Sequence, residues 1–384
     1  MPPVLKSRVT ILFALPAMCM GGSQRVLANV LNHIDTARFE PHLAVLKGAD
    51  MWLEVPPGVQ VHELGAMRAR YASLSLARIC WRIRPQTVLS TSAHLNSALV
   101  SARPLLPANT RLLIREGADI TSPQAAVSRF RALFYKCAYR RADLVICQSD
   151  HMHESLIREY NLSRNNVVRI YNPVDVASIA KLAVAAPNPF ADGGLNLVAA
   201  GRLSREKGFD LLLRAMPRVR QVFPRVVATL VGEGPELPAL QTLRRELNLE
   251  SSVRFVGAQR NPYPFLKHAD LVVLPSRTEA FPNVVLEAMA LGTAVVATNC
   301  CGALNEISSC KQHLRVANDT SSDALASEIL SAIHDGAKPK KCCPDSQFEG
   351  RFGVQAITRQ YEHVLTRGMR QGPAGLPEPL NIAA

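Results

Sequence analysis

The chain has 384 residues, of which 48% are hydrophobic and 20% are charged. This length suits two domains better than one core, and the composition excludes a globally disordered chain. The formal net charge of +13 predicts affinity for the phosphates of a nucleic acid, an anionic membrane or a phosphorylated substrate. Aromatic residues make up only 5% of the chain, which disfavours a nucleic-acid-binding protein that stacks bases on aromatic rings.

The apolar stretch from Val9 to Met20 is too short to span a bilayer and contains Pro16, so it is interpreted as a buried first strand. No small-residue cleavage site follows it, and no secretion signal is predicted. The nine cysteines include adjacent pairs at 300–301 and 342–343, which lack the CxxC spacing of a zinc site. We therefore expect reduced thiols in a cytoplasmic protein, without disulfides or a metal centre.

The first half of the sequence alternates β-branched strands with helical patterns, which predicts a parallel sheet covered by helices. Strands are predicted at 9–15, 43–46, 87–89, 111–114, 144–147 and 167–170, and helices at 23–34, 124–141 and 149–160. Ser23 is the predicted N-cap of the first helix. A stretch rich in Ala, Pro, Asn and Gly at 181–194 predicts a linker that ends a first domain at 1–180.

A second α/β series follows the linker. Strands are predicted at 195–200, 226–231, 253–256, 271–274 and 294–297, and helices at 210–223, 236–247 and 284–291. The sequence thus predicts an α/β protein of two doubly wound domains that face each other across a cleft, with ligands beyond the carboxyl ends of the strands. The second domain is expected at 195–349, followed by an amphipathic helix at 350–370 and a flexible tail at 371–384.

The clearest site pattern is a buried strand, a loop with Glu279, and a helix with Glu287 in its first turn. Asn283 is predicted to cap this helix, whose amides at Val284 and Val285 form an anion site that fits a diphosphate. The two carboxylates would then accept hydrogen bonds from neutral ribose and hexose hydroxyls. In the alternative interpretation, Glu279 is a solvated loop acid and Glu287 only complements the helix dipole.

A second strand-to-helix loop carries Gly201, Arg202 and Lys207. Two cations five residues apart can neutralise a departing diphosphate, on which charge builds as the glycosidic bond breaks. Because these cations supply the positive charge and no DxD-like acidic pair lies in a comparable loop, we predict neither a metal nor a cofactor. The alternative is a solvated charged loop without a ligand.

Residues after other strands complete the predicted cleft. Gly232, Glu233 and Gly257 are expected to line a nucleoside pocket through backbone groups, although such glycines also occur in ordinary turns. In the first domain, His94 and Glu116 follow strands and are expected to orient an acceptor hydroxyl. The alternatives are a structural hydrogen bond for the histidine and an ion pair with the preceding arginine for the glutamate.

Residues 67–84 combine five arginines with Trp81 and several aliphatic residues. We predict that this segment rests on an anionic membrane surface at the inner face of the cytoplasmic membrane, where each basic side chain adds about 1 kcal/mol. The alternative is an ordinary amphipathic surface helix.

Several motifs occur in a fixed order along the chain. They are Gly21-Gly22-Ser-Gln-Arg25, Ile170-Tyr-Asn172-Pro-Val-Asp175, Gly201-Arg202 with Lys207-Gly208, Gly232-Glu-Gly-Pro, Val256-Gly257 and the pair Glu279/Glu287. Residues 9–307 thereby resemble the retaining, metal-independent family-four glycosyltransferases of bacterial surface-polysaccharide and glycolipid synthesis. This resemblance implies a GT-B fold, in which a C-terminal helix crosses back to the first domain.

The resemblance also implies an activity. A hexose-type sugar would move with retention from a nucleoside-diphosphate sugar, with UDP the expected nucleotide, to a glycan or lipid-linked acceptor. Arg202 and Lys207 would be the diphosphate ligands. Glu287 would accept hydrogen bonds from ribose hydroxyls, and Glu279 would contact the donor sugar. No residue is assigned as a nucleophile.

In the first domain, the resemblance implies that Gly21 and Gly22 let a loop approach the donor phosphates, with Arg25 behind them towards the acceptor. Two other classes of function are weighed against the transferase. One is a nucleotide-sugar epimerase of the same fold, which needs no acceptor. The other is a non-catalytic protein that binds sugar nucleotides or nucleic acid.

The sequence departs from the family at two points. The family often has glycines at the positions of Ala280 and Pro282, so the donor-sugar contacts here are expected to depend on Phe281 and Asn283. A further glycine-containing turn is missing after Glu306, which argues against a site role for that carboxylate.

Overall fold

A computed structural model describes residues 8–18, 21–46, 54–66, 68–117, 136–190, 194–308, 314–335 and 345–367. Within these ranges the chain forms two parallel sheets with helices packed on them. None of the described helices is both long and apolar enough to cross a bilayer. The predicted tail at 371–384 and most of the predicted helix at 124–141 lie outside the described residues.

The first sheet has seven parallel strands in the order β3-β2-β1-β4-β5-β6-β7. These are β1 (Val9–Leu15), β2 (Phe39–Val45), β3 (Gln60–Glu63), β4 (Thr87–Thr91), β5 (Arg111–Arg115), β6 (Leu144–Cys147) and β7 (Val167–Arg169). Its helices include α1 (Gly22–His33), α2 (Ser73–Ile83), α3 (Ala93–Ser101) and α4 (Asp150–Tyr160). Successive residues of β1 join opposite cores: Phe13 packs on one face of the sheet and Leu12 on the other.

The second sheet has six parallel strands in the order β10-β9-β8-β11-β12-β13. These are β8 (Leu195–Ala200), β9 (Val226–Val231), β10 (Val253–Phe255), β11 (Leu271–Leu274), β12 (Val295–Ala297) and β13 (Leu314–Val316). The helices of this half are α5 (Val176–Ala183), α6 (Phe209–Val222), α7 (Leu237–Glu246), α8 (Tyr263–His268), α9 (Asn283–Ala290), α10 (Ala303–Ser308) and α11 (Ser322–His334). The central strand β11 is buried along its whole length, as expected for a strand covered on both faces.

Two segments link the domains. Helix α5 packs against α8 and α9 of the second domain. Its last residues coincide with the start of the predicted linker at 181–194. At the C-terminus, α12 (Ser346–Phe352) is followed by α13 (Val354–Thr366), which packs on α1 of the first domain. Thr87 of β4 donates a hydrogen bond to the carbonyl of Leu365 at 3.0 Å. The predicted fold class, including the helix that crosses back, is confirmed.

Some local predictions are wrong. Ser23 is not the N-cap of α1, since the helix begins at Gly22 and no side chain caps it. Strand β3 was not predicted, because its residues are mostly exposed at the sheet edge and lack an apolar pattern. Helix α3 was also missed, so His94 lies within a helix and not in a loop after the strand.

Candidate functional site

A cavity of about 820 Å³ lies between the two domains. Its wall includes residues that follow β1, β5, β6 and β7 on one side and β8, β9 and β11 on the other. The carboxyl ends of both sheets therefore meet at the cavity, which is where parallel α/β sheets bind ligands. Small-molecule pockets are typically about 300–1,000 Å³, so this one can hold a nucleotide sugar.

Most of the predicted site residues line this cavity. They are Gly21, Gly22, Arg25, Gly201, Arg202, Lys207, Gly232, Glu233, Glu279, Phe281, Asn283, Val284 and Glu287. Gly257, His94 and Glu116 are not among the lining residues. Gly257 lies directly behind the wall, where its carbonyl accepts a hydrogen bond from the Gly232 amide at 2.9 Å.

Two glycines allow the loops of the second domain to pack closely. Gly208 has φ +61°, and a Cβ on it would lie 2.0 Å from the carbonyl oxygen of Pro275. Gly232 has φ +146°, and its Cβ would lie 1.9 Å from the carbonyl oxygen of Gly201. Only glycine fits both the backbone conformation and the space. These contacts hold the loops after β8, β9 and β11 together at the cavity.

Lys207 and Glu279 meet in this wall. The Lys207 ammonium donates to the two carboxylate oxygens of Glu279 at 2.6 and 2.8 Å, and the Ser276 hydroxyl donates to one of them at 2.7 Å. The Glu279 side chain is 9% exposed and that of Lys207 is 31% exposed. The predicted diphosphate ligand and the predicted sugar contact are therefore bonded to each other, while Arg202 lies exposed in the same wall.

The start of α9 also reaches the cavity, but its details differ from the prediction. The helix begins at Asn283 after Pro282, so Glu287 lies in its second turn and not its first. Asn283 does not cap the helix: its side chain accepts a hydrogen bond from Asn172 at 2.6 Å and donates one to the Gly22 carbonyl at 3.2 Å. The amide of Val285 is already bonded to the carbonyl of Pro282 at 3.1 Å and is not free.

Arg25 crosses from the first domain to the second. Its guanidinium donates a hydrogen bond to Glu287 and another to the Tyr263 hydroxyl at 2.8 Å. Burial raises the pKa of Glu287, and the nearby Arg25 partly offsets that rise. Burial also raises the pKa of Tyr263, so its hydroxyl stays protonated. This cluster joins the two domains beside the cavity.

The two remaining acceptor-side predictions lie elsewhere. His94 is exposed on α3, outside the cavity wall. Glu116 is 1% exposed, and its carboxylate accepts a hydrogen bond from the Tyr139 hydroxyl and another from the Gly117 amide at 2.9 Å. Burial, together with the Glu116 carboxylate, raises the pKa of Tyr139 well above its usual value. Glu116 therefore satisfies a buried hydroxyl inside the first domain.

Sequence reasoning assigned no site role to four residues of the wall or its support. Arg115, Gln148 and Asn172 line the cavity from the ends of β5, β6 and β7, and Tyr263 anchors Arg25. The strand-end rule that selected Glu116 could have found the first three. Within the described ranges, no group of three or more His, Cys, Asp or Glu side chains is arranged to hold a metal ion.

The whole arrangement is similar to known structures. HepE of Anabaena, solved in complex with UDP, superposes with a TM-score of 0.72, covering 93% of this chain and 100% of HepE at 21% identity. Two parallel-sheet domains with a shared cleft at their carboxyl ends thus define a GT-B fold. Residues 21–173 match the Glycosyl transferase 4-like domain, and residues 184–346 match the family Glycosyl transferases group 1. Both halves of the chain therefore match glycosyltransferase domains, and the second half matches group 1.

Curated relatives agree with this family. An uncharacterised glycosyltransferase of Methanocaldococcus jannaschii is 28% identical over 242 residues, which cover 59% of this chain and 58% of that protein. This chain therefore spans less than two thirds of that relative. The N-acetylgalactosamine-N,N'-diacetylbacillosaminyl-diphospho-undecaprenol 4-alpha-N-acetylgalactosaminyltransferase of Campylobacter jejuni is 28% identical over 299 residues, covering 73% of this chain and 78% of that enzyme.

Proposed function

We propose that this glycosyltransferase moves a hexose-type sugar from a UDP-sugar to a glycan or lipid-linked acceptor, with retention and without a divalent metal. One observation carries the proposal: Arg202, Lys207 and the first residues of α9 line the same cavity as the glycine loop Gly21-Gly22. A diphosphate bound there would contact two cations and the positive end of a helix.

The donor and acceptor classes have separate support. HepE was solved with UDP, and the Campylobacter relative is named for an acceptor with a diphospho-undecaprenol group. Glu279 adds a reason from this chain, because a carboxylate beside the diphosphate site is a strong acceptor for neutral sugar hydroxyls.

In the proposed reaction, the bond between the anomeric carbon and the β-phosphate oxygen breaks, and the acceptor oxygen bonds to the same face of the sugar. The acceptor hydroxyl gives its proton to the departing phosphate oxygen. Arg202 and Lys207 stabilise the negative charge that builds on the diphosphate. Lys207 reaches the phosphate by leaving Glu279, and the carboxylate is then available to the hydroxyls of the donor sugar.

A panel of nucleotide sugars tests the proposal, first by thermal shift and then by release of the nucleoside diphosphate with glycan and lipid-linked acceptors. Arg202→Ala is expected to lower turnover by about 10²–10³-fold, because it removes preorganised charge from the leaving group. Arg205→Ala is the matched control, since this arginine lies on the same loop but outside the cavity wall. Conversion of a UDP-sugar to its epimer without any acceptor would contradict the proposal.

A further inference from the structure

Arg115 is an unusual buried cation. It ends β5 and is 0% exposed. Its Nε donates to the Tyr361 hydroxyl at 3.1 Å, and its Nη2 donates to the Asn172 side-chain oxygen at 2.6 Å. Within the part of the chain that the structure describes, its Nη1 has no hydrogen-bond partner. Both partners are neutral, and among the described residues no carboxylate forms an ion pair with this guanidinium.

A buried charge without an opposite charge is costly, and such groups in proteins are normally paired or bind a ligand. Arg115 lines the interdomain cavity, so the missing partner can come from the cavity. Tyr361 and Asn172 hold the guanidinium in place, because they bind two of its three nitrogens and leave Nη1 unused among the described residues. The arrangement is that of a preorganised anion ligand.

Gln148 gives a second, independent observation. It follows β6, which pairs in parallel with β5 so that Arg115 lies beside Ile146. Gln148 is 2% exposed and lines the same cavity, and its side-chain oxygen has no hydrogen-bond partner among the described residues. An unsatisfied donor and an unsatisfied acceptor therefore share one wall. A ligand that suits both must carry an anionic group and a hydroxyl or amide donor.

We infer that Arg115 and Gln148 form a second subsite on the wall of the first domain, in which Arg115 binds a phosphate group of the acceptor and the Gln148 side-chain oxygen accepts a hydrogen bond from a hydroxyl or amide of the same ligand. The inference rests on the proposed function, in which the donor diphosphate is bound by Arg202 and Lys207 of the second domain. Arg202 and Lys207 already neutralise the charge of the donor diphosphate. Arg115 lies on the opposite domain, so a phosphate-bearing acceptor is the substrate class that it fits.

Binding of small anions to the full-length protein tests the subsite. The protein is first saturated with UDP, so that the donor site is filled, and is then titrated with inorganic phosphate and, in a parallel arm, with pyrophosphate. Preference for one of these probes distinguishes a phosphomonoester acceptor from a diphosphate-linked one. Arg115→Gln is expected to weaken binding of the preferred probe by about tenfold or more, since hydrogen bonds to charged groups are the strong ones.

Arg169→Gln is the matched control, because Arg169 ends β7 of the same sheet but does not line the cavity. It is expected to bind the probe with nearly wild-type affinity. If Arg115→Gln does not fold, Gln148→Glu takes its place: the added carboxylate should oppose the anion, and the binding of phosphate should be lost.

Two results would overturn the inference. One is the absence of phosphate and pyrophosphate binding to the UDP-saturated wild-type protein. The other is a loss of UDP affinity in Arg115→Gln as large as the loss of phosphate affinity, since Arg115 would then serve the donor. A failure of the proposed function looks different, because UDP itself would not bind to the wild-type protein.

Discussion

Arg25 of the first domain and Glu287 of the second are bonded to each other in a largely buried pair that lines the cavity. Each is the other's charged partner, and the Tyr263 hydroxyl accepts a further hydrogen bond from Arg25. The pair therefore couples the spacing of the domains to a carboxylate that was predicted to bind ribose hydroxyls. Mutation of one or both partners can separate the cost of burying the two charges from the stabilisation that their attraction provides.

Replacing only one partner should destabilise the protein much more than replacing both. Arg25→Met or Glu287→Met leaves a buried charge unpaired, which typically costs about 3–5 kcal/mol, whereas apolar replacement of both partners is often near neutral. We expect the double variant to melt at a higher temperature than either single variant, as measured by thermal unfolding of all four proteins. Single variants as stable as the wild type would show that the pair contributes nothing.

Mutations of Lys207 and of Glu279 are expected to have different effects on the affinity for UDP. Lys207→Gln removes a charged hydrogen bond to the diphosphate, so the dissociation constant for UDP should rise by about tenfold or more. Glu279→Gln releases Lys207 from its carboxylate partner, so UDP affinity should stay unchanged or increase while sugar transfer falls. Calorimetric titration with UDP and a transfer assay check the two effects. Weaker UDP binding in Glu279→Gln would contradict this account.

The sequence was informative where local rules decide the structure. Buried apolar runs gave the bounds of β6 correctly, and glycine-rich loops after strands indicated the side of the sheet on which the cavity lies. It was harder to predict which of two neighbouring residues faces the cavity. Adjacent strand residues point to opposite faces, so the end of β5 directs Arg115 to the cavity and Glu116 into the domain.

Contacts between distant loops could not be predicted from sequence. The bond between Lys207 and Glu279 depends on how the loop after β8 meets the loop after β11, a contact permitted by Gly208. The bond between Arg25 and Glu287 depends on the distance between two domains. Hydrophobic periodicity and capping patterns describe only residues that are close together in sequence, so they predict neither bond.

Gly208 offers a test of the close loop contact. Gly208 and Gly65 have nearly the same backbone conformation, with φ +61° and +66°. Alanine at either position should therefore cost about 1–2 kcal/mol of backbone strain. Only Gly208 has a neighbour, the Pro275 carbonyl, at 2.0 Å from the new Cβ. We expect Gly208→Ala to lower both the melting temperature and the affinity for UDP, and Gly65→Ala to lower the melting temperature only slightly. Equal losses in the two variants would rule out the steric explanation.

The segment predicted to contact a membrane presents apolar and basic side chains together. Around α2, Tyr71, Leu74 and Trp81 are 64%, 61% and 50% exposed, and Arg84 stacks on the Trp81 ring at 4.3 Å. We propose that this face binds anionic lipid, since aromatic and basic side chains are favoured at such interfaces.

Leu74→Glu should reduce co-sedimentation with vesicles that contain phosphatidylglycerol. Val222→Glu is its control, because Val222 is 58% exposed but lies on α6 of the second domain. Equal binding to neutral and anionic vesicles would count against the proposal.

His33 and Asp175 make stability depend on pH. His33 of α1 lies 3.3 Å from Asp175, which caps α5 by accepting a hydrogen bond from the Ser178 amide at 3.0 Å. The hydrogen bond with Asp175 raises the pKa of His33, and the same bond lowers the pKa of Asp175. The stabilisation from the charged histidine is therefore complete below its unfolded pKa of about 6.5 and is lost as pH rises through the higher folded pKa.

We expect the wild type to melt above His33→Gln by a margin that is larger at about pH 6 than at about pH 8.5, since the stabilisation from the charged histidine declines as pH rises through its raised folded pKa. Asp175 remains ionised throughout this window, because its lowered pKa places its titration at more acidic pH. Asp175→Asn should remove the same pH-dependent margin while it keeps the helix cap, since Asn is as good a cap as Asp. A margin that is constant across the pH range would show that the pair carries no charge-dependent stabilisation.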